Sequence, residues 1–117
     1  MELNLTWITC ETPPVWCPLE IVKLGNVVSE GVYIIWHGGQ NPSTVRVGSG
    51  IIAQRLASHR SDARILTYRE RGTLYVTWAD VPAQYQEGVE NYLADRLQPL
   101  VGERFPNVAP IVVNLPW

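Results

Sequence analysis

At 117 residues the chain fits one domain, long enough to bury a core and too short for two. A hydrophobic content of 46% with 17% charged residues excludes a disordered or fibrous protein, and no apolar run approaches the ~18–20 residues that cross a bilayer. A net charge of −2 excludes an indiscriminate nucleic-acid binder held by bulk charge.

The start, Met1-Glu2-Leu3-Asn4-Leu5, lacks the basic and continuously apolar stretches of a signal peptide, so a cytoplasmic protein is expected. Residues 3–9 alternate apolar and polar side chains, as a strand does. Pro13, Pro14 and Pro18 make 11–20 a loop with a short turn of helix. Val32-Tyr33-Ile34-Ile35-Trp36 is a β-branched and aromatic run that reads as a buried strand. Gly38-Gly39-Gln40-Asn41-Pro42 is turn chemistry, and residues 43–47 complete a hairpin. Gly48-Ser49-Gly50 then ends the hairpin and offers a cap to a helix over 51–59. Residues 73–81 alternate again and predict a third strand. Pro82 suits the start of a long helix to about Leu97, which Pro99 ends or kinks. The apolar tail, 111–117, is expected to pack as a last extended segment. The fold class is α+β, a small antiparallel or mixed three-stranded sheet covered by helices, with residues 1–28 as an N-terminal extension packing on the core.

Charge and cysteine placement add detail. Six of the nine basic residues (Arg46, Arg55, Arg60, Arg64, Arg69 and Arg71) fall between positions 46 and 71, opposed there only by Asp62 and Glu70. Arginine binds phosphate through a planar fork that lysine lacks, although a solvated charged segment has the same composition. Cys10 and Cys17 match no zinc spacing and are expected to be reduced structural residues.

Several polar residues fall on faces that should be apolar. Val89, Leu93, Leu97 and Leu100 form the stripe of the long helix, and Glu90 lies about 20° from the direction of Leu97. On the shorter helix Arg55 and His59 share the face of Ile51, Ile52 and Leu56. A buried carboxylate needs a partner or a metal. One explanation is an Arg55–Glu90 ion pair that fixes helix packing, with Tyr33 an ordinary core tyrosine. The other is a functional site.

The order of these residues resembles the GIY-YIG nuclease superfamily. Gly31-Val32-Tyr33 is similar to the first half of its signature, and Arg46-Val47-Gly48 follows after 12 residues where the second half belongs. Arg55 and His59 match the arginine and the histidine-or-tyrosine of the family's first helix. The segment from Glu90 to Pro99 is similar to its glutamate helix, and Asn107 stands where an asparagine often closes the motif. The likeness covers roughly residues 29–107. Arg46 replaces the second signature tyrosine, which puts standard activity in question.

The resemblance implies a metal-dependent endonuclease with one Mg²⁺ or Mn²⁺ held by Glu90. Tyr33 is then the candidate general base, its pKa lowered by Arg46 and Arg55, which also clamp the phosphate. His59 orients water or touches a phosphate. Gly48 and Ser49 present backbone N–H groups to nucleic acid, DNA first, and Arg60 and Arg64 contact it too. The resemblance leaves a homodimer or a protein partner open, and no membrane is expected. Two alternatives stand beside it. One is a catalytically inactive GIY-YIG-like module that binds nucleic acid or protein. The other is an unrelated α+β interaction protein using its tryptophans.

Overall fold

The run at 32–36 forms the centre of the molecule, because its β-branched and aromatic side chains suit a pleated surface buried on both faces. A computed structural model describes residues 1–10, 15–102 and 107–117. Its strands are β1 (Glu2–Leu3), β2 (Cys17–Pro18), β3 (Glu30–His37), β4 (Ser43–Ile51), β5 (Leu74–Asp80) and β6 (Val112–Val113). Its α-helices are α1 (Ile52–His59), α2 (Ala63–Leu66) and α3 (Ala83–Leu97). The fold is α+β, as its pattern predicts.

The central sheet has four strands in the order β2-β5-β3-β4, all antiparallel. The expected three are present, and the two-residue β2 adds an edge from the N-terminal extension. A separate parallel pair joins β1 to β6. Of the strand expected over 3–9 only Leu3 is in one, as the second residue of β1. Beyond it Leu5 N–H donates to the Asn114 side chain and Ile8 N–H to the Trp78 carbonyl. Of the proline-rich 11–20 stretch, residues 11–14 lie outside those described.

Alternation along β3 divides the core. Tyr33 and Ile35 point to the side covered by α1 and α2, where they meet Val45, Ile52, Leu56 and Ile65. Val32, Ile34 and Trp36 point to the α3 side, with Val47, Val89 and Leu93. The stripe expected on α3 is buried only at Val89 and Leu93, and Leu100 is exposed beyond the helix end.

Two readings of the sequence are corrected. β4 continues past Val47 to Ile51, because Gly48-Ser49-Gly50 extends the strand instead of closing it. Glycine in this position serves packing and a φ of +126° at Gly50, so turn-like composition misleads. Cys10 and Cys17 are also not reduced. They form a disulfide across a Cα–Cα distance of 5.2 Å, which ties the extension back to β2. Cys10 N–H donates to the Val15 carbonyl at 2.7 Å, which folds the chain back on itself and brings the two cysteines within bonding range.

Candidate active site

The site begins with a register. Tyr33 pairs across the sheet with Gly48, and Ile35 with Arg46, so Tyr33, Gly48 and Arg46 share one face of the sheet. The absence of a side chain at Gly48 is what admits the tyrosine. A Cβ there would lie 2.2 Å from Tyr33 Oη and 2.5 Å from Cζ. The ring thus lies across the β4 backbone and its hydroxyl reaches the end of α1.

There it meets His59. Tyr33 Oη and His59 Nε2 are 2.5 Å apart, and both side chains are buried. His59 Nδ1 and Arg46 Nε are likewise buried and have no hydrogen-bond partner among the described residues. Burial pushes the Tyr33 hydroxyl above the ordinary phenol value; Arg46 and Arg55 oppose this without cancelling it. The expectation that the arginines lower the Tyr33 pKa is therefore corrected, since desolvation outweighs both cations. Burial, and after it Arg46, push His59 down to about 4. At neutral pH the pair is a phenol hydrogen-bonded to an uncharged imidazole.

The second half of the site lies across β4. Val32 pairs with Ser49, so Ser49 faces α3, where its hydroxyl donates to Glu90 Oε1 at 2.7 Å. Burial raises the Glu90 carboxyl above the usual carboxylate range; Ser49 and Arg46 oppose the rise, and Glu87 one turn back adds to it. Arg55 is exposed and does not point into the core as its helical face suggests. Its Nε donates to the Ser49 carbonyl at 3.1 Å and its guanidinium lies over Gly50. Arg55 and Glu90 thus do not form the expected ion pair; each binds a different atom of Ser49. A cleft of about 470 Å³ opens beside them, lined by Ser49, Gly50, Arg55, Gln84 and Glu87 among others.

The structure brings Tyr33, Arg46, Gly48, Ser49, Arg55, His59 and Glu90 together around the edge strand. Arg60 is used elsewhere. Its Nε donates to the Leu19 carbonyl at 2.8 Å and its terminal nitrogen to the Val22 carbonyl, so it anchors the N-terminal extension. Arg64 pairs with Asp62, the cap of α2. Asn107 is exposed. Reading the sequence missed Glu87 as a neighbour of Glu90, which the spacing of three on α3 signals. It also missed the Ser49 hydroxyl as the Glu90 partner, which no local pattern signals.

The donor set bears on a metal. Among the described residues no three His, Cys, Asp or Glu side chains converge, so an all-protein cage does not fit. One half-buried carboxylate with a single hydrogen-bond donor on Oε1 does fit a hard cation that keeps most of its waters.

No family model matches the chain, and no curated protein or solved structure matches it. Among the described residues no helix is long and apolar enough to cross a membrane.

Proposed function

We propose that the chain is a GIY-YIG-like endonuclease that hydrolyses nucleic-acid phosphodiesters, DNA first, using one Mg²⁺ or Mn²⁺. The observation that carries this reading is the convergence on one edge strand of a Tyr33–His59 hydrogen bond, two arginines and a half-buried carboxylate. The order hairpin, α1, β5, α3 around that edge also supports it.

Phosphodiester hydrolysis needs a proton removed from water, negative charge held on the phosphate and a stabilised leaving oxygen. Arg46 enters with its guanidinium beside Tyr33 and near enough to Glu90 to act on both, a planar fork of the kind that holds non-bridging phosphate oxygens. Arg55, exposed over Gly50 at the cleft, supplies the second cation. Tyr33 relays rather than acting as a preformed phenolate. Its oxygen accepts the proton of the attacking water while its own proton passes to His59 Nε2. The low pKa of His59 arises partly from Arg46, so a phosphate that neutralises Arg46 makes the imidazole a better acceptor at the moment it is needed. Glu90 would hold the divalent ion, which would supply Lewis acidity toward the phosphate and its leaving oxygen.

A second reading, a module that binds phosphate without cleaving it, is favoured by one observation. Tyr33 is held as a neutral phenol where Arg46 has replaced the other signature tyrosine. Such a module would bind nucleic acid or a protein partner, or pair as a homodimer. The Cys10–Cys17 disulfide runs against the cytoplasmic setting expected from the sequence, since cytosolic thiol buffers keep most such pairs reduced.

The test is supercoiled plasmid incubated with Mn²⁺ or Mg²⁺ beside Glu90→Ala and Tyr33→Phe variants of checked fold. Nicking that requires the metal and is lost in both supports hydrolysis. Plasmid binding that requires Arg46, with no nicking under either metal, moves the conclusion to the second reading.

A further inference from the structure

Away from Tyr33 and Glu90, past the last turn of α3, the surface opens into a different kind of pocket. Gln98 caps α3 in the left-handed conformation, with φ at 49°. The chain then turns so that Leu100 N–H donates to the Thr44 carbonyl and Val101 N–H to the Val45 carbonyl. This fold-back ties the segment after α3 to β4, and beside it lies a cavity of about 620 Å³ that shares no lining residue with the cleft at Ser49 and Arg55. Pockets of this size hold a small organic ligand.

Its walls are chemically specific. Trp16, Trp36 and Trp117 form an edge-to-face cluster with ring centroids 5.3, 6.2 and 5.0 Å apart. Trp36 is buried and braced by Tyr75 behind it, whereas Trp117 is 58% exposed and leaves indole surface open. Arg96, exposed and lying over the Tyr92 ring at 6.0 Å, is the one charged residue among the described residues that line the pocket. Aromatic cages that select a quaternary ammonium offer no cation of their own. Here the guanidinium inverts the preference. A planar ring carrying negative charge matches aromatic walls with a cationic rim.

We propose that this pocket binds a nucleobase through the tryptophans while Arg96 holds the attached phosphate, a second nucleotide-binding site independent of the catalytic reading. Free nucleoside monophosphates and an unpaired unit of a single strand share this chemistry, and stacking on tryptophan tolerates any base. The occupant differs from a duplex, whose bases are already stacked on one another.

The experiment is calorimetric titration of the whole chain with thymidine, thymidine monophosphate and a short oligothymidylate. Thymidine monophosphate is expected to bind on the order of tenfold more tightly than thymidine, and Arg96→Gln to remove that difference. Trp117→Ala, at an exposed position that leaves the core intact, is expected to weaken all three ligands on the order of tenfold. Oligothymidylate binding tighter per site than the monophosphate assigns the pocket to single strands, and equal binding assigns it to free nucleotide. Absence of binding, or binding that neither variant changes, overturns the proposal. Binding abolished by Glu90→Ala also overturns it, because the nucleotide would then occupy the catalytic cleft; failure of plasmid nicking alone leaves it standing.

Discussion

Lowering the pH from neutral to about 4 offers the unfolded chain a proton at His59 that the folded chain refuses. The imidazole falls from 6.5 to about 4 on folding because burial, and then Arg46, disfavour its cation. Between those values the unfolded state binds more protons, so stability is lost as pH falls, and the loss is complete below about 4. At ~1.4 kcal/mol per tenfold the gap sets a ceiling of ~3 kcal/mol. Solvent that still screens the ring brings the expected loss to about 2 kcal/mol. Glu90 acts oppositely: its raised pKa makes the folded state bind the extra proton just above the ordinary carboxylate range, which favours folding there. The comparison therefore needs a variant that removes His59 alone. His59→Gln keeps a hydrogen-bonding group opposite Tyr33 Oη and does not titrate. Urea unfolding followed by tryptophan fluorescence, at neutral pH and in steps to pH 4, yields the two stability profiles. The native protein should lose about 2 kcal/mol relative to His59→Gln over that window. Parallel profiles would refute the reasoning, since they would mean that the imidazole is solvated enough to charge in the folded state.

Other consequences follow from named contacts. Gly48→Ala should destabilise by roughly 2–3 kcal/mol and abolish any nicking, because its Cβ strikes the buried Tyr33 ring. Adding Tyr33→Phe, which removes the nearest clashing atom, should recover part of that stability in thermal denaturation, and no recovery counts against the packing argument. His37 is 2% exposed, stacks on Tyr68 and has both ring nitrogens without a partner among the described residues. His37→Phe should therefore raise stability by about 1 kcal/mol, and a lower melting temperature would mean that the imidazole has a use. Reduction of Cys10–Cys17 should cost about 2–3 kcal/mol by freeing a short loop in the unfolded chain, and an unchanged urea midpoint would mean that the bond is not formed in solution.

Local patterns made much of the fold legible. The β-branched run around Tyr33, the alternation leading to Asp80 and the helix that follows Pro82 each occur where periodicity places them, because strand and helix faces are written at fixed intervals. The candidate residues were legible as polar groups on apolar faces. Their partners were not. Periodicity points Arg55 inward beside Glu90, yet a long side chain at a helix edge reaches out to the Ser49 carbonyl, and only the packed strand offers that acceptor. The extra strand at Cys17 and the disulfide were equally hidden, since two residues carry no period and a cysteine spacing does not fix a distance.

The sequence by itself determined the class of fold and the inventory of chemistry: a buried tyrosine strand, an arginine-rich middle and a carboxylate at the edge of a helical stripe. Tertiary structure decided how that chemistry is poised. Register alone sets Tyr33 against Gly48 and sends Ser49 to the other side of β4, so that one edge strand carries a phenol–imidazole pair on one face and a carboxylate on the other. Burial then keeps both members of the pair uncharged where the sequence suggested an ionised tyrosine. Desolvation is a property of the whole packed surroundings, and no residue's neighbours in the chain encode it.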